Sequence, residues 1–252
     1  MTKMQNPFIW YDLMTPDVEG AKKFYSDVVG WNFTDQPPAY HVANVGKIGV
    51  GGIMETPPEL GKMPPFWSGY IYVSDVDATC AKIKKLGGKV HREPWDIPGI
   101  LRMAVVGDPT GANFNIMKPF MADPPERVKE GAPGTIGWRE GHVGDLDAAW
   151  KFYSEVFGWT KGTTMPMGEM GDYQLFQIDG KDVGGMMKKM DAMPMPMWAY
   201  YFMVDGIDAA VTRLTKAGGK IANGPMEVPG GQWMVNAVDP QGAHFSLLSN
   251  TK

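Results

Sequence analysis

The histidines and the cysteine, the side chains that most often bind a metal or attack a substrate, show no catalytic or ligand grouping in this sequence. The four histidines, His41, His91, His142 and His244, show no HExxH or other helical ligand spacing, and His41 and His91 read as surface or strand-edge residues. The single cysteine, Cys80, falls on the inner stripe of an expected helix, where core packing is the reading and not nucleophilic chemistry. Two short segments are more informative. Alternation along an extended strand puts Trp10, Asp12 and Met14 on one face, and Trp138, Glu140 and His142 on the matching face of a second strand. Each strand therefore carries a carboxylate two residues after a tryptophan. Asp12 and Glu140 are the candidate catalytic residues, because a carboxylate there could take or return a proton. The plainer role for both is to accept a hydrogen bond from a polar ligand group or a nearby amide. Near the end of each half, Asn113 and Asn115 match His244 and Ser246. If the fold gathers Glu140, His142 and His244, they form a divalent-metal candidate.

These positions correspond because the chain is a tandem repeat. Trp10, Phe24-Tyr25-Ser26, Val28 and Gly30-Trp31 recur as Trp138, Phe152-Tyr153-Ser154, Val156 and Gly158-Trp159, at a constant offset of 128. Further on, Phe66–Lys118 aligns with Met197–Ser249 without a gap, at an offset of 131, and 18 of 53 positions are identical. The expected organisation is a first domain over 1–120, a Pro-, Gly- and charge-rich linker over 121–133, and a second domain over 134–252.

Each half reads as two shorter units of strand, helix and three strands. Phe8–Met14 is a strand, and Thr15-Pro16-Asp17 starts a helix. Ala21, Phe24, Tyr25 and Val28 form its apolar stripe, and Gly30 ends it. Strands follow at Trp31–Thr34, Tyr40–Val45 and Gly49–Met54, with Gly51-Gly52 marking a bulge or a close backbone approach. In the second unit Ser68–Val73 is a strand, Asp75–Leu86 a helix capped by Gly87-Gly88, and strands lie near Val90, at Leu101–Val106 and at Asn113–Met117.

The bulk properties are those of a globular protein: 252 residues, 44% hydrophobic and 21% charged. A net charge of −4 gives no electrostatic footprint for nucleic acid or an anionic membrane. The sequence contains no apolar run long enough for a transmembrane helix. One cysteine excludes an internal disulfide, so a cytoplasmic protein, monomer or homodimer, is expected. The 20 methionines and 9 tryptophans suit adaptable apolar surfaces, although Met as core filler serves equally well.

Taken in order, Asp17–Trp31 (D-x3-A-x2-FY-x2-V-x-GW), Val50-Gly51-Gly52, Leu86–Val90 and Asp108–Phe114 (DP-x-G-A-x-F), each with a counterpart in the second half, resemble the glyoxalase/bleomycin-resistance/dioxygenase, or vicinal oxygen chelate, superfamily. The resemblance covers nearly the whole chain apart from the linker. More narrowly, the chain is similar to the tandem glyoxalase-like branch labelled "putative hydroxylase". It implies an α+β fold of four βαβββ modules, paired into two curved-sheet domains around a cavity. In metal-dependent members, His or Glu opens the first strand of each module and a Glu lies on the last strand. The corresponding positions here are Trp10, Trp138, Ser68, Ala199, Asn115 and Ser246, none of which is a good divalent-metal ligand.

The function expected from this pattern is binding of a small organic molecule, with no cofactor, in cavities lined by aromatic and Met side chains. Trp10, Met14, Ser68, Tyr70, Tyr72, Asn113 and Asn115 would contribute from one half, and Trp138, His142, Tyr201, His244 and Ser246 from the other. Trp31, Trp159, Phe24 and Phe152 are read as packing residues, while Trp67 and Trp198 fit either role. Two alternatives stand beside this reading. One is a lactoylglutathione-lyase-like lyase or an extradiol-type dioxygenase with a displaced divalent metal. The other is a regulatory or antibiotic-sequestering protein.

Overall fold

A computed structural model describes residues 6–121 and 126–252. The segments 1–5 and 122–125, the latter part of the expected linker, lie outside the described residues.

The local rules read from the sequence operate as expected. Helix α1 (Val18–Val29) starts where the Asp17 side chain accepts the Gly20 amide and stops at Gly30, which adopts a left-handed φ of 87°. Its buried stripe is Ala21, Phe24, Tyr25 and Val28, joined by Val29. The third helix, α3 (Leu146–Phe157), repeats the design with Asp145 as cap and Gly158 as stop. Helix α2 (Val76–Lys85) is capped by Asp75, whereas α4 (Ile207–Lys216) begins at Gly206 without a side-chain cap. One detail differs from expectation. Helix α2 ends at Lys85, one residue short of the expected end, with Leu86 as its C-cap and Gly87 taking the left-handed turn after it, at φ 83°.

The first half contributes strands β1 (Phe8–Thr15), β2 (Asn32–Gln36), β3 (Tyr40–Val45), β4 (Ile48–Glu55), β5 (Phe66–Tyr72), β6 (Lys89–Ile97), β7 (Leu101–Gly107) and β8 (Asn113–Pro119). The second half contributes β9 (Ile136–Val143), β10 (Thr160–Pro166), β11 (Asp172–Ile178), β12 (Lys181–Lys188), β13 (Met197–Met203), β14 (Lys220–Val228), β15 (Gln232–Val238) and β16 (His244–Ser249). Two eight-stranded sheets result, ordered β2-β3-β4-β1-β5-β8-β7-β6 and β10-β11-β12-β9-β13-β16-β15-β14. In each module the first strand pairs in parallel with the last, as in β1 with β4 and β13 with β16, and the remaining pairings are antiparallel. The fold is α+β, built from four βαβββ modules.

Sheet membership follows the two halves, but packing does not. One compact unit comprises Trp10–Ser68, Pro125–Trp138 and Ala199–Lys252 and holds α1 and α4. The other comprises Met1–Ile9, Gly69–Pro124 and Arg139–Trp198 and holds α2 and α3. First module packs with fourth, and second with third.

Each unit is centred on the same buried knot. In the α1/α4 unit, Tyr25 donates to Asp239 Oδ2 at 3.0 Å and accepts from Trp67 Nε1 at 2.9 Å. Trp31, Phe202 and Phe245 pack against the Tyr25 ring. In the α2/α3 unit, Tyr153 donates to Asp108 Oδ2 at 3.0 Å and accepts from Trp198 Nε1 at 2.9 Å, with Trp159 stacked on its ring at 5.2 Å. The other oxygen of each aspartate gathers the amides of the next turn: Thr110, Gly111 and Ala112 for Asp108, and Gln241, Gly242 and Ala243 for Asp239. The DP-x-G-A-x-F repeat is therefore a folding element, in which glycine is required at φ 106°. Burial pushes the Asp239 carboxyl up against the pull of these donors, and burial, followed by the Asp239 charge, pushes the Tyr25 hydroxyl well above its usual value.

Candidate functional site

The paired glycines of the fourth strand in each half create a polar geometry that both copies share. In the α1/α4 unit, a Cβ on Gly51 would press on the Tyr11 carbonyl, and one on Gly52 would collide with the Tyr40 ring. The bare backbone at Gly52 lets that ring lie across the strand and reach β1, where Tyr40 donates to Asp12 Oδ1 at 2.6 Å. Trp10 Nε1 donates to the same oxygen at 2.9 Å and to the Tyr40 hydroxyl at 2.6 Å. Asp12 is only 4% exposed. Burial, followed by the negative charge of Asp12, holds the Tyr40 hydroxyl well above its ordinary value, so it remains a donor.

The α2/α3 unit repeats the arrangement with a change. A Cβ on Gly184 would meet the Arg139 carbonyl, and one on Gly185 would collide with the Tyr173 ring. Tyr173 donates to Glu140 Oε2 at 2.8 Å. The other carboxylate oxygen, Oε1, faces His142 Nε2 at 2.9 Å. The equivalent position in the first copy is Met14, so at this pair of strand positions the second copy joins a carboxylate to an imidazole and the first does not. Glu140 and His142 side chains are each 14% exposed.

A second patch lies in the α1/α4 unit, on the face of β13, β15 and β16. Tyr201, Met203, Met234 and Leu248 form a buried cluster, with Trp138, Ala199 and Val228 packed against it. Asn236 links the polar end, donating to Ser246 Oγ at 2.8 Å and standing 3.5 Å from the Tyr201 hydroxyl. Tyr201 and Ser246 are register partners, as Tyr70 and Asn115 are in the α2/α3 unit.

The expected site residues thus divide. Trp10 joins Asp12, Glu140 joins His142, and Trp138 joins Tyr201 near Ser246. Tyr70 and Asn115 are buried, and Ser68, Tyr72 and Met14 half-buried, while Asn113 and His244 are exposed. Trp67 and Trp198 are resolved as packing residues of the tyrosine knots. Cys80 is buried, and burial raises its thiol to about 11, which removes it as a nucleophile. The sequence reading missed Tyr40, Tyr173 and Asn236. The two tyrosines had a signal, since Tyr40/Tyr173 and Gly52/Gly185 share one offset, 133.

The model of the family described as "Glyoxalase/Bleomycin resistance protein/Dioxygenase superfamily" matches residues 8–116 and 140–247. The chain belongs to this superfamily. "Putative glyoxylase CFP32" from Mycobacterium bovis is 34% identical over 249 residues, spanning 95% of this chain and 93% of the relative. "Anthracycline biosynthesis protein DnrV" from Streptomyces peucetius is 31% identical over 261 residues, 95% of this chain and 91% of the relative. The fold matches the Mn(II)-bound glyoxalase from Novosphingobium aromaticivorans, with a TM-score of 0.68 at 18% identity over 99% of this chain and 83% of that one. It also matches a variant of homoprotocatechuate 2,3-dioxygenase from B. fuscum, with a TM-score of 0.70 at 14% identity over 99% and 73%.

Trp10, Trp138, Ser68, Ala199, Asn115 and Ser246 hold the positions that the family resemblance assigns to ligands. Among the described residues, no three His, Cys, Asp or Glu side chains come together in a way that could hold a metal. Glu140, His142 and His244 therefore do not make the displaced centre considered from the sequence. Asp12 and Glu140 instead have carboxylate oxygens occupied by tyrosine, tryptophan and histidine hydrogen bonds. Among the described residues no helix is long and apolar enough to cross a membrane.

Proposed function

We propose that this protein binds a small organic molecule against the aromatic and Met-bearing sheet faces, and does so without the divalent ion that the family resemblance implies. Asp12 and Glu140 are the polar anchors, with Glu140 able to move a proton if the bound molecule is transformed. The observation that carries the reading is the repeated tyrosine–carboxylate pair. In both copies a glycine makes room for a tyrosine that fixes one buried acid, where a metal centre would need several converging acids and imidazoles. The resemblance to a protein named for anthracycline biosynthesis supports an aromatic ligand, and aromatic faces with few polar groups suit one.

The test has two parts, on protein purified without chelator or nickel resin. Metal content is measured by mass spectrometry, and thermal stability is followed during titration with Ni, Zn, Mn and Fe(II). A broad panel of aromatic and carbonyl compounds is then screened by tryptophan fluorescence and thermal shift. The expected result is no stoichiometric metal, no stabilisation by metal, and stabilisation by a subset of the organic panel. Stoichiometric metal with a stability gain overturns the metal-independent part, and silence across the organic panel overturns the binding part.

A further inference from the structure

Resting on that reading, we infer that the ligand carries a hydroxyl group and that His142 Nδ1 of the second copy is the atom that holds it. His142 Nδ1 is buried and has no hydrogen-bond partner, a condition that native proteins rarely leave unfilled. The rest of the ring is fully constrained. Nε2 faces Glu140 Oε1 at 2.9 Å, and the other Glu140 oxygen accepts from Tyr173, whose ring is seated on Gly185. A carboxylate in this setting only accepts, so Nε2 carries the hydrogen and Nδ1 points away from the pair. The unpartnered nitrogen is thus the free end of a relay running from Tyr173 through Glu140 to His142.

The chemistry of that end selects the ligand group. In the neutral imidazole, Nδ1 is a lone-pair acceptor, and in the imidazolium it is a donor. A hydroxyl satisfies both states, because it donates and accepts. A carbonyl or ether satisfies only the charged ring, and an ammonium only the neutral one. The first copy, with Met14 at the equivalent position, offers no such nitrogen, so hydroxyl recognition belongs to the second copy alone.

The experiment uses the full chain with 2-naphthol and its methyl ether, two probes of like shape that differ in the O–H. Affinities are measured by calorimetry on the wild type and on His142→Met, which installs the first copy's residue. The 15N resonances of the His142 ring are followed in parallel in the wild type, so the result does not depend on the variant folding. We expect 2-naphthol to bind up to about tenfold tighter than the ether, the worth of one net hydrogen bond. His142→Met should remove that preference by weakening naphthol alone, and naphthol should shift the Nδ1 resonance. Equal affinities in the wild type, a preference surviving in His142→Met, or an Nδ1 resonance indifferent to naphthol, as a permanently buried water would leave it, each overturns the inference. Failure of both probes to bind also overturns it. The organic panel separates these failures, since panel hits without a hydroxyl preference leave the proposed function standing.

Discussion

Tyr153→Phe removes one oxygen atom and should be among the most damaging conservative substitutions in the α2/α3 unit. The hydroxyl is fully buried and serves two partners, donating to Asp108 Oδ2 at 3.0 Å and accepting from Trp198 Nε1 at 2.9 Å. Its loss leaves the Trp198 N–H orphaned, at a cost of about 1–3 kcal/mol, and takes a donor from a buried carboxylate, a further ~1.5 kcal/mol or more. The void itself is too small for a water and adds little. The expected destabilisation is about 3 kcal/mol, which at a urea slope of about 2–3 kcal/mol/M for a protein of this size lowers the unfolding midpoint by roughly 1 M. Urea titration followed by tryptophan fluorescence reads it directly, since Trp159 and Trp198 both pack on the Tyr153 ring. The diagnostic comparison is Tyr153→Phe combined with Trp198→Phe. If the orphaned N–H drives the loss, the double variant falls well short of the sum of the singles. A loss under about 1 kcal/mol in Tyr153→Phe, or strict additivity in the pair, refutes the reasoning.

Two further outcomes follow from other features. Gly185→Ala places a methyl group inside the Tyr173 ring, so the ring must leave Glu140; we expect a stability loss of about 1–3 kcal/mol together with weakened binding of any ligand that the wild type accepts, measured by denaturation and calorimetry, and wild-type affinity in this variant would contradict the site. Asp239 has its carboxyl raised by burial, so in the folded state it holds its proton to higher pH than in the unfolded chain. Its favourable contribution is fully present below the ordinary aspartate value and is lost as pH rises through the folded value. Asp239→Asn therefore makes the acid-range rise of stability with pH steeper than in the wild type, and an unchanged or flatter slope in pH-dependent denaturation contradicts this.

Much of the fold was legible because its signals are local. Asp17, Asp75 and Asp145 announce helix starts, Gly30 and Gly158 announce stops, and the apolar stripe between them has only one face to bury. Duplication then supplied an internal check on every element. The candidate site was legible to the level of strand faces: Asp12 and Glu140 were placed by alternation, and each joins a polar cluster. What escaped was everything that depends on an approach across strands. Tyr40 lies 28 residues from Asp12, and nothing local says that its ring crosses Gly52. Likewise, the role of Trp67 depended on a tyrosine 42 residues away. The residue types allow His244 to join Glu140 and His142 at a metal, yet His244 lies exposed.

The bond from Tyr25 to Asp239 joins residues 214 positions apart, within one packed unit. During synthesis, helix α1 leaves the ribosome with Tyr25 still waiting for a partner that lies 214 residues further along the chain. The first half on its own would carry that unmet aromatic surface permanently. Closure of this unit is therefore a late, non-local event of the kind that folds slowly and exposes apolar surface in the interval. A truncation removing only the last strands would harm the beginning of the chain as much as its end.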